Sequence, residues 1–380
     1  GIEQFKNMFG IIAFDSFDWV DDFAAARQFS YELGTAKWRC YLDSVTGETP
    51  VLVRKKGSEF IDYVEIRELV PKYKREKGDL TLFDHSEFEV RTHLGWQALR
   101  GVKQHFVKKA VYRIVDGGDV RVTEDHSLMA AGQEVAGKDV REGLVLDHVD
   151  LTAALGPQGA SITPELAEAW GFFAAEGWCC VRDLDQPSSN QNRYLWAATQ
   201  MHRGPLEKYQ RILQYAHSRP FRVVVNSDKE VYGTCYRLEA SDPKDLAILY
   251  RERFYTDSGR KKVPIEVLNG TFEIMAAFIR GYEIGDGSVQ RTDTQGKDLQ
   301  MWSTNSPILA AGLHYLYRRT GRYLRCLHPR PDKPTIVSCF EVNGQPTRKS
   351  TLIKEDVDSI FAQYAGGVVV PTIASEFGLS

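Results

Sequence analysis

The feature that most constrains this chain is a nine-residue pattern that occurs twice. The first copy is Ala169-Trp170-Gly171-Phe172-Phe173-Ala174-Ala175-Glu176-Gly177; the second is Ile279-Arg280-Gly281-Tyr282-Glu283-Ile284-Gly285-Asp286-Gly287. Both place glycine third, an acid eighth and glycine ninth, and they lie 110 residues apart. A repeat at that distance points to two similar halves related by pseudo-symmetry, not to a solenoid. Each copy ends an apolar helix. Leu166, Ala169, Trp170 and Phe173 fall at i, i+3, i+4, i+7, and so do Met275, Phe278, Ile279 and Tyr282. Glu176 and Asp286 then read as the last helical residues, with Gly177 and Gly287 as caps.

Two placements in the pattern run against the physics of a free helix. Glycine in a helix interior costs roughly 1 kcal/mol against alanine, which makes sense at Gly171 and Gly281 if two helix backbones approach closely there. A carboxylate at the negative end of the helix dipole is disfavoured by a few tenths of a kcal/mol or more, and a divalent cation shared by Glu176 and Asp286 would remove that penalty. The matched pair resembles the double LAGLIDADG motif of homing endonucleases. The resemblance implies an α+β fold: a pseudo-symmetric, two-repeat αββαββα domain over residues 161–350, with the two helices side by side at its centre. It also implies a monomer that cuts double-stranded DNA at a long asymmetric site. The acids would hold Mg²⁺, which needs only one or two carboxylates plus substrate oxygens. Tyr194 to Met201 and Leu299 to Thr304 would be saddle strands in the major groove, with Gln200 and Arg203 as base readers. Gly259-Arg260-Lys261-Lys262-Val263-Pro264 matches the segment before the second helix, where the family often carries a catalytic lysine. Lys262 is the better positional match, and a plain basic loop is the competing reading.

Charge is distributed unevenly. The 380 residues carry a net charge of −3 and the pI is about 6.4, so the total does not argue for nucleic acid. Residues 301–350, however, hold eight basic residues (Arg318, Arg319, Arg322, Arg325, Arg330, Lys333, Arg348 and Lys349) against two acids, Asp332 and Glu341. Such a cluster is the footprint expected for phosphate contact, and Arg318, Arg319, Arg322 and Arg325 are the candidates for it. No run of 18 apolar residues exists, so no membrane span is expected. No signal peptide is seen, and the chain starts without Met, as a fragment or processed chain would. The six cysteines (Cys40, Cys179, Cys180, Cys235, Cys326 and Cys339) include no Cys-x-x-Cys pair. A zinc site or disulfide framework is therefore not expected, and a reducing, cytoplasmic setting fits.

Upstream of the first repeat the texture is β-rich. Phe60 to Val64, Glu87 to Thr92, Ala110 to Val115 and Val120 to Thr123 read as short strands between turns. The run Ser44-Val45-Thr46-Gly47-Glu48-Thr49-Pro50, together with Thr123-Glu124-Asp125-His126, resembles the N-terminal half of an intein. So do the turns at Gly95-Trp96 and Val140 to Gly143. This implies an all-β, Hint-like splicing domain over residues 44–160. Ser44 would attack the Asp43 carbonyl, His126 would protonate the departing nitrogen, and Thr123 would hydrogen-bond the strained peptide or its oxyanion. Cys40 is the rival nucleophile, but the Thr46-Gly47-Glu48-Thr49 run begins two residues after Ser44, as the family pattern requires. No His-Asn pair closes the segment, which leaves residues 351–356 as a remnant of the intein C-terminus, and complete splicing is not expected. Joining the flanks 1–43 and 357–380 gives Cys40-Tyr41-Leu42-Asp43-Val357-Asp358-Ser359. This resembles the Y-x-D-T-D-S motif of family B DNA polymerases, with Asp43 and Asp358 as its carboxylates. Two function classes result: an intein-borne Mg²⁺-dependent DNA endonuclease, and a degenerate relative that binds DNA without cutting it.

Overall fold

The computed structural model describes residues 45–70, 81–84, 87–92, 95–99, 101–104, 109–115, 118–141, 143–147, 159, 161–181, 194–229, 233–292, 298–326 and 336–342. Ser44, both polymerase-like flanks, residues 351–356, Arg330, Lys333, Arg348 and Lys349 lie outside them. Mixed α/β architecture results, with strands first and the helices concentrated after residue 160.

The first portion holds β1 (Pro50–Lys55), β2 (Ile61–Glu65), β3 (Thr81–Asp84), β4 (Phe88–Thr92), β5 (Gly95–Ala98), β6 (Gly101–Gln104), β7 (Val111–Val115), β8 (Asp119–Thr123), β9 (Ser127–Ala130) and β10 (Gln133–Ala136). β2-β1-β4-β5 form one sheet, and β3–β6, β7–β8 and β9–β10 form antiparallel pairs. β2 alternates as half-buried strands do, with Ile61, Tyr63 and Glu65 facing inward, whereas β1 buries the adjacent Leu52 and Val53. The β9–β10 hairpin turns through Ala131 and Gly132, both at positive φ (51° and 71°), the geometry that matches strand twist in two-residue hairpins. Strands therefore stand where the alternation places them, within a residue or so at each end.

The second portion runs α1 (Pro164–Glu176), β11 (Gly177–Val181), β12 (Tyr194–Gln200), α2 (Arg203–His217), β13 (Phe221–Lys229), β14 (Gly233–Ala240) and α3 (Lys244–Phe254). After the short α4 (Ile265–Leu268) follow α5 (Phe272–Asp286), β15 (Ser288–Thr292), β16 (Asp298–Thr304), α6 (Pro307–Arg319), β17 (Tyr323–Cys326) and β18 (Val337–Val342). Each set makes a four-stranded antiparallel sheet of the same order, β11-β12-β14-β13 and β15-β16-β18-β17. α1 and α5 start alike: the Thr163 hydroxyl accepts from the Leu166 N–H at 3.3 Å and that of Thr271 from the Ile274 N–H at 3.4 Å, which satisfies donors left open in the first turn. Among the described residues no helix is long and apolar enough to cross a membrane.

α1 and α5 pack side by side, and the repeated glycines make this possible. A Cβ added at Gly171 would sit 1.9 Å from the Phe278 carbonyl oxygen, and one at Gly281 would sit 1.8 Å from that of Glu168. The buried faces are those the periodicity selects: Ala169, Trp170, Phe173, Met275, Phe278, Ile279 and Tyr282 are all wholly buried. Around them the first half is packed with rings. Phe173 stacks on Trp196 at 5.3 Å between centroids, and Trp170 meets Phe254 edge-on at 5.6 Å. In the second half Tyr282 meets Trp302 edge-on at 5.8 Å.

The two portions are fastened together. Buried Asn269 completes the edge of β2, accepting from the Ile61 N–H at 2.9 Å and donating to the Ile61 carbonyl at 2.8 Å. Glu65, with no exposed side chain, accepts from the Ser258 hydroxyl at 2.6 Å, and Glu68 accepts from the Asp257 N–H at 2.8 Å.

Candidate functional site

Glu176 and Asp286 end their helices at the same end of the seam. The helix tips are in close contact: a Cβ on Gly285 would fall 2.4 Å from the Ala175 Cβ and 3.0 Å from the Glu176 Cγ. The caps Gly177 and Gly287 are extended (φ −83° and −71°), not left-handed as the helix-cap reading expects. Their size has another cause. A Cβ at Gly177 would strike the Phe173 ring at 2.1 Å, and one at Gly287 the Glu283 carbonyl at 2.3 Å. Each chain must turn tightly from helix into strand there.

Desolvation acts on both acids, and the charge of Asp286 adds to it at Glu176. Desolvation first, then the charge of Asp286, push Glu176 up to about 7, with Lys261 pulling the other way. Asp286 is also raised, mainly by desolvation, against Lys261 and Tyr282. The Tyr282 phenol beside it is buried and has no well-aligned hydrogen-bond partner.

The lysine beside the acids is Lys261, whereas Lys262 lies elsewhere. The Lys261 ammonium donates to the carbonyls of Phe173, Ala174 and Ala175 at 3.3, 2.8 and 3.0 Å, neutralising the end of α1 directly beneath the acids. Burial lowers it to about 8, against the raising charges of Asp286 and Glu176. Lys262 points the other way and donates to Asp62 of β2 at 2.9 Å. Lys261 forms an isolated bridge with Tyr255, and Val263, two residues on, is buried.

The other expected residues are scattered. Gln200 lies at the acid rather than on the open sheet: its amide donates to Glu176 at 3.4 Å and its oxygen accepts from the Met201 N–H at 2.7 Å. Arg203 is on α2, paired with Glu207 one turn on at 2.7 Å. Arg318 and Arg319 end α6, the helix that packs on β1 and β2, with Arg318 near Tyr63 and Arg319 near Tyr315. Arg322 is internal. It donates to Glu283 at 2.6 Å and to nearly inaccessible Glu341 at 2.7 and 3.0 Å, and it lies over the Tyr317 ring at 4.6 Å. Of the basic-run arginines, Arg318, Arg319 and Arg322 thus lie away from the open sheet faces, because helix and sheet period, not local charge, decide which face a residue takes.

Arg325 alone of that group stands on the sheet surface away from the helices, since its neighbour Leu324 is the buried one. The same face of that sheet carries Ser303, whose hydroxyl meets that of Ser338 at 2.7 Å, and the corresponding face of the first sheet carries Arg222 and Arg237, both paired with Glu239. Sequence reasoning passed over Arg222 and Arg237, although the apolar neighbours Phe221, Val223 and Leu238 set their alternation.

In the β-rich portion, Val45 bridges Val122, and the Thr46 N–H donates to the Arg121 carbonyl at 3.1 Å. The chain position after Ser44 is therefore held beside the one before Thr123. Thr123 is buried, its carbonyl accepts from the His126 N–H at 3.1 Å, and Gly137 closes over it: a Cβ there would lie 2.7 Å from that carbonyl oxygen.

No family model matches the chain. It is 28% identical over 329 residues to a DNA polymerase of Acanthamoeba polyphaga mimivirus, covering 83% of this chain and 18% of that protein. To a DNA polymerase of Thermococcus hydrothermalis it is 28% identical over 269 residues, covering 66% of this chain and 16% of that one. It thus spans less than a fifth of the length of these relatives. Among solved structures, it is similar to I-DmoI in complex with DNA and Mn, at 13% identity and TM-score 0.32, over 47% of this chain and 89% of that one. It is also similar to the N-terminal LAGLIDADG domain of DUF199/WhiA, at 14% identity and TM-score 0.29, over 49% of this chain and 77% of that one.

Proposed function

We propose that this chain is an intein-borne homing endonuclease that hydrolyses double-stranded DNA with a divalent metal, set within a family B DNA polymerase. The observation that carries it is the convergence of two repeat-related carboxylates at the tip of a glycine-locked helix pair. Both are pushed toward the protonated form by partial desolvation, and each sits at the negative end of its helix, an arrangement that a bound divalent cation beside Lys261 would stabilise. Two hard oxygen donors of this kind fit Mg²⁺, and Glu176 and Asp286 are the residues that would hold it. When bound, such an ion supplies charge at the phosphate and a more acidic water.

The chain's own groups do the rest. Lys261, fixed by three carbonyls, places a positive charge beside the acids, where it stabilises negative charge building up on the phosphate. Gln200 steadies Glu176. The two sheets form the pseudo-symmetric halves of a saddle, on which Arg222, Arg237 and Arg325 meet DNA.

The β-rich portion is read as the Hint-like splicing half, supported by the Val45–Val122 bridge that brings the neighbours of Ser44 and Thr123 together. The relatives named DNA polymerase support the host. A duplex spanning the uninterrupted coding sequence of the polymerase motif, incubated with Mg²⁺, tests the proposal. Cleavage by the wild type, its loss in Glu176→Gln and in Asp286→Asn, and retained DNA binding in both are expected. Binding without cleavage by the wild type would instead identify a degenerate, non-cutting relative.

A further inference from the structure

Behind the second sheet, three side chains from three elements meet. Cys326 of β17 and Cys339 of β18 are direct partners in the strand register, and their sulfurs lie 3.3 Å apart. His314 of α6 brings its Nε2 to 3.2 Å from the Cys339 sulfur and 3.4 Å from that of Cys326. Cys339 is fully buried and the other two partly; Trp302 covers the imidazole edge-on at 6.4 Å.

Hydrogen bonding explains this triangle poorly. Thiols are weak donors and weak acceptors, so an imidazole nitrogen set between two of them in an apolar core gains little. The fold does not require it either. In the first half, the corresponding pair of outer strands places Phe221 opposite Ala240 on the helix side, with Phe221 packed edge-on against Trp196 at 5.2 Å. The second half could have been filled with apolar side chains in the same way.

Two thiolates and an imidazole are, in contrast, the donor set of tetrahedral zinc. Zn–S near 2.3 Å and Zn–N near 2.0–2.1 Å put ligand atoms roughly 3.5–3.8 Å apart, so the triangle need open by only a few tenths of an ångström. We infer that His314, Cys326 and Cys339 form a binding site for one thiophilic divalent cation of the Zn²⁺ class, pinning α6 to the outer edge of the second sheet. The fourth position falls to solvent, since the nearby Asp119 carboxylate is held at both oxygens by Arg113 at 2.9 Å. The absence of Cys-x-x-Cys hid the site: the register of two antiparallel strands supplies the two sulfurs, and sequence spacing does not. The site is chemically unlike the pair Glu176 and Asp286, which offers only hard oxygens, so the two stand or fall separately.

The test uses the full, reduced, metal-free chain titrated with Co²⁺ as a spectroscopic probe. One Co²⁺ per chain should give sulfur-to-cobalt charge-transfer bands with the intense visible bands of tetrahedral cobalt, and Zn²⁺ should abolish both. Cys326→Ser and Cys339→Ser should each lose the charge-transfer band, and His314→Gln should weaken binding by at least about tenfold. Glu176→Gln and Cys179→Ser should leave the band unchanged. A second measurement needs no variant: Zn²⁺ should slow alkylation of half-buried Cys326, but not of Cys179, read by mass spectrometry. Absence of the band in the folded wild type, its persistence in the Cys326→Ser/Cys339→Ser double variant, or equal alkylation with and without Zn²⁺ would each overturn the inference.

Discussion

Gly171→Ala sets two effects of opposite sign against each other in one residue. In an isolated helix the change is stabilising by about 1 kcal/mol, because alanine loses less backbone entropy. In this seam the new Cβ would meet the Phe278 carbonyl oxygen at 1.9 Å, with its carbon at 2.8 Å and the Tyr282 nitrogen at 2.9 Å. An ordinary carbon–oxygen contact is about 3.3 Å or more, so the helices must part by roughly 1.4 Å. The obstacle is helix backbone, which cannot rotate away, and ring packing on both outer faces resists the shift. Overpacking in a tight core costs about 1–3 kcal/mol and occasionally more; we place this site at the upper end and expect a net loss of about 2–3 kcal/mol. Gly281→Ala should cost the same, meeting the Glu168 carbonyl at 1.8 Å. The double variant should cost less than the sum, since one displacement makes room for both methyls. Guanidinium unfolding gives the answer as a fall in midpoint at constant slope. A midpoint that rises in either single variant would mean that the seam is loose and that the repeated glycine has no packing role.

Further outcomes follow from the same geometry. Glu176 binds a proton up to about 7 when folded but releases it near 4.5 when unfolded, so the metal-free protein should lose stability as pH rises between those values. Lys261, lowered to about 8 from 10.5, has the opposite slope between 8 and 10.5, leaving a shallow minimum at pH 7–8. After discounting for partial exposure this amounts to about 1–2 kcal/mol, and Mg²⁺ should fill it in; melting curves that show no minimum would refute the pairing. Lys261→Met should reduce cleavage by about 10²-fold or more, whereas Lys262→Met should reduce it only severalfold, through the loosened segment, and lose about 1–3 kcal/mol by stranding Asp62; the reverse result in a plasmid assay would restore Lys262 to the site. Arg322→Met should cost about 1–3 kcal/mol by removing its charge-assisted hydrogen bonds to Glu283 and buried Glu341, with no change in the salt dependence of DNA binding, and a flattened salt slope would put Arg322 on the DNA after all. Asn269→Ala strands both polar groups of Ile61 and should cost roughly 2–4 kcal/mol by chemical denaturation; a neutral result would mean that water reaches β2.

What could be read from the sequence was what local period controls. Seam positions, strands and the acid pair all follow from spacings of 3.6 and 2 residues, and the structure buries or exposes them accordingly. What could not be read was set by partners distant in sequence. Arg322 is drawn inward by Glu283 and Glu341, 39 and 19 residues away, and nothing local announces it. Gln200 faces the acid because strand β12 arrives beside the end of α1, a matter of topology. The thiol pair on β17 and β18 is invisible until those strands are in register.

The short stretch from Phe254 to Asn269 links both portions of the molecule. Lys261 reaches the carboxylate pair, its neighbour Lys262 reaches β2, Ser258 holds Glu65, and Asn269 caps the same strand. Adjacent residues on opposite sides of an extended backbone are displaced together when that backbone shifts. A change in β2 is therefore expected to reach Lys261 through its neighbour Lys262, which donates to Asp62. This explains why two adjacent lysines are both needed. One neutralises the ends of the first helix and sits beside the acids, and the other fixes the register of the segment that delivers it. The β-rich portion thus acts as a structural support for the carboxylate site, and its separation from the helical portion would be expected to loosen that site even where every residue of it is retained.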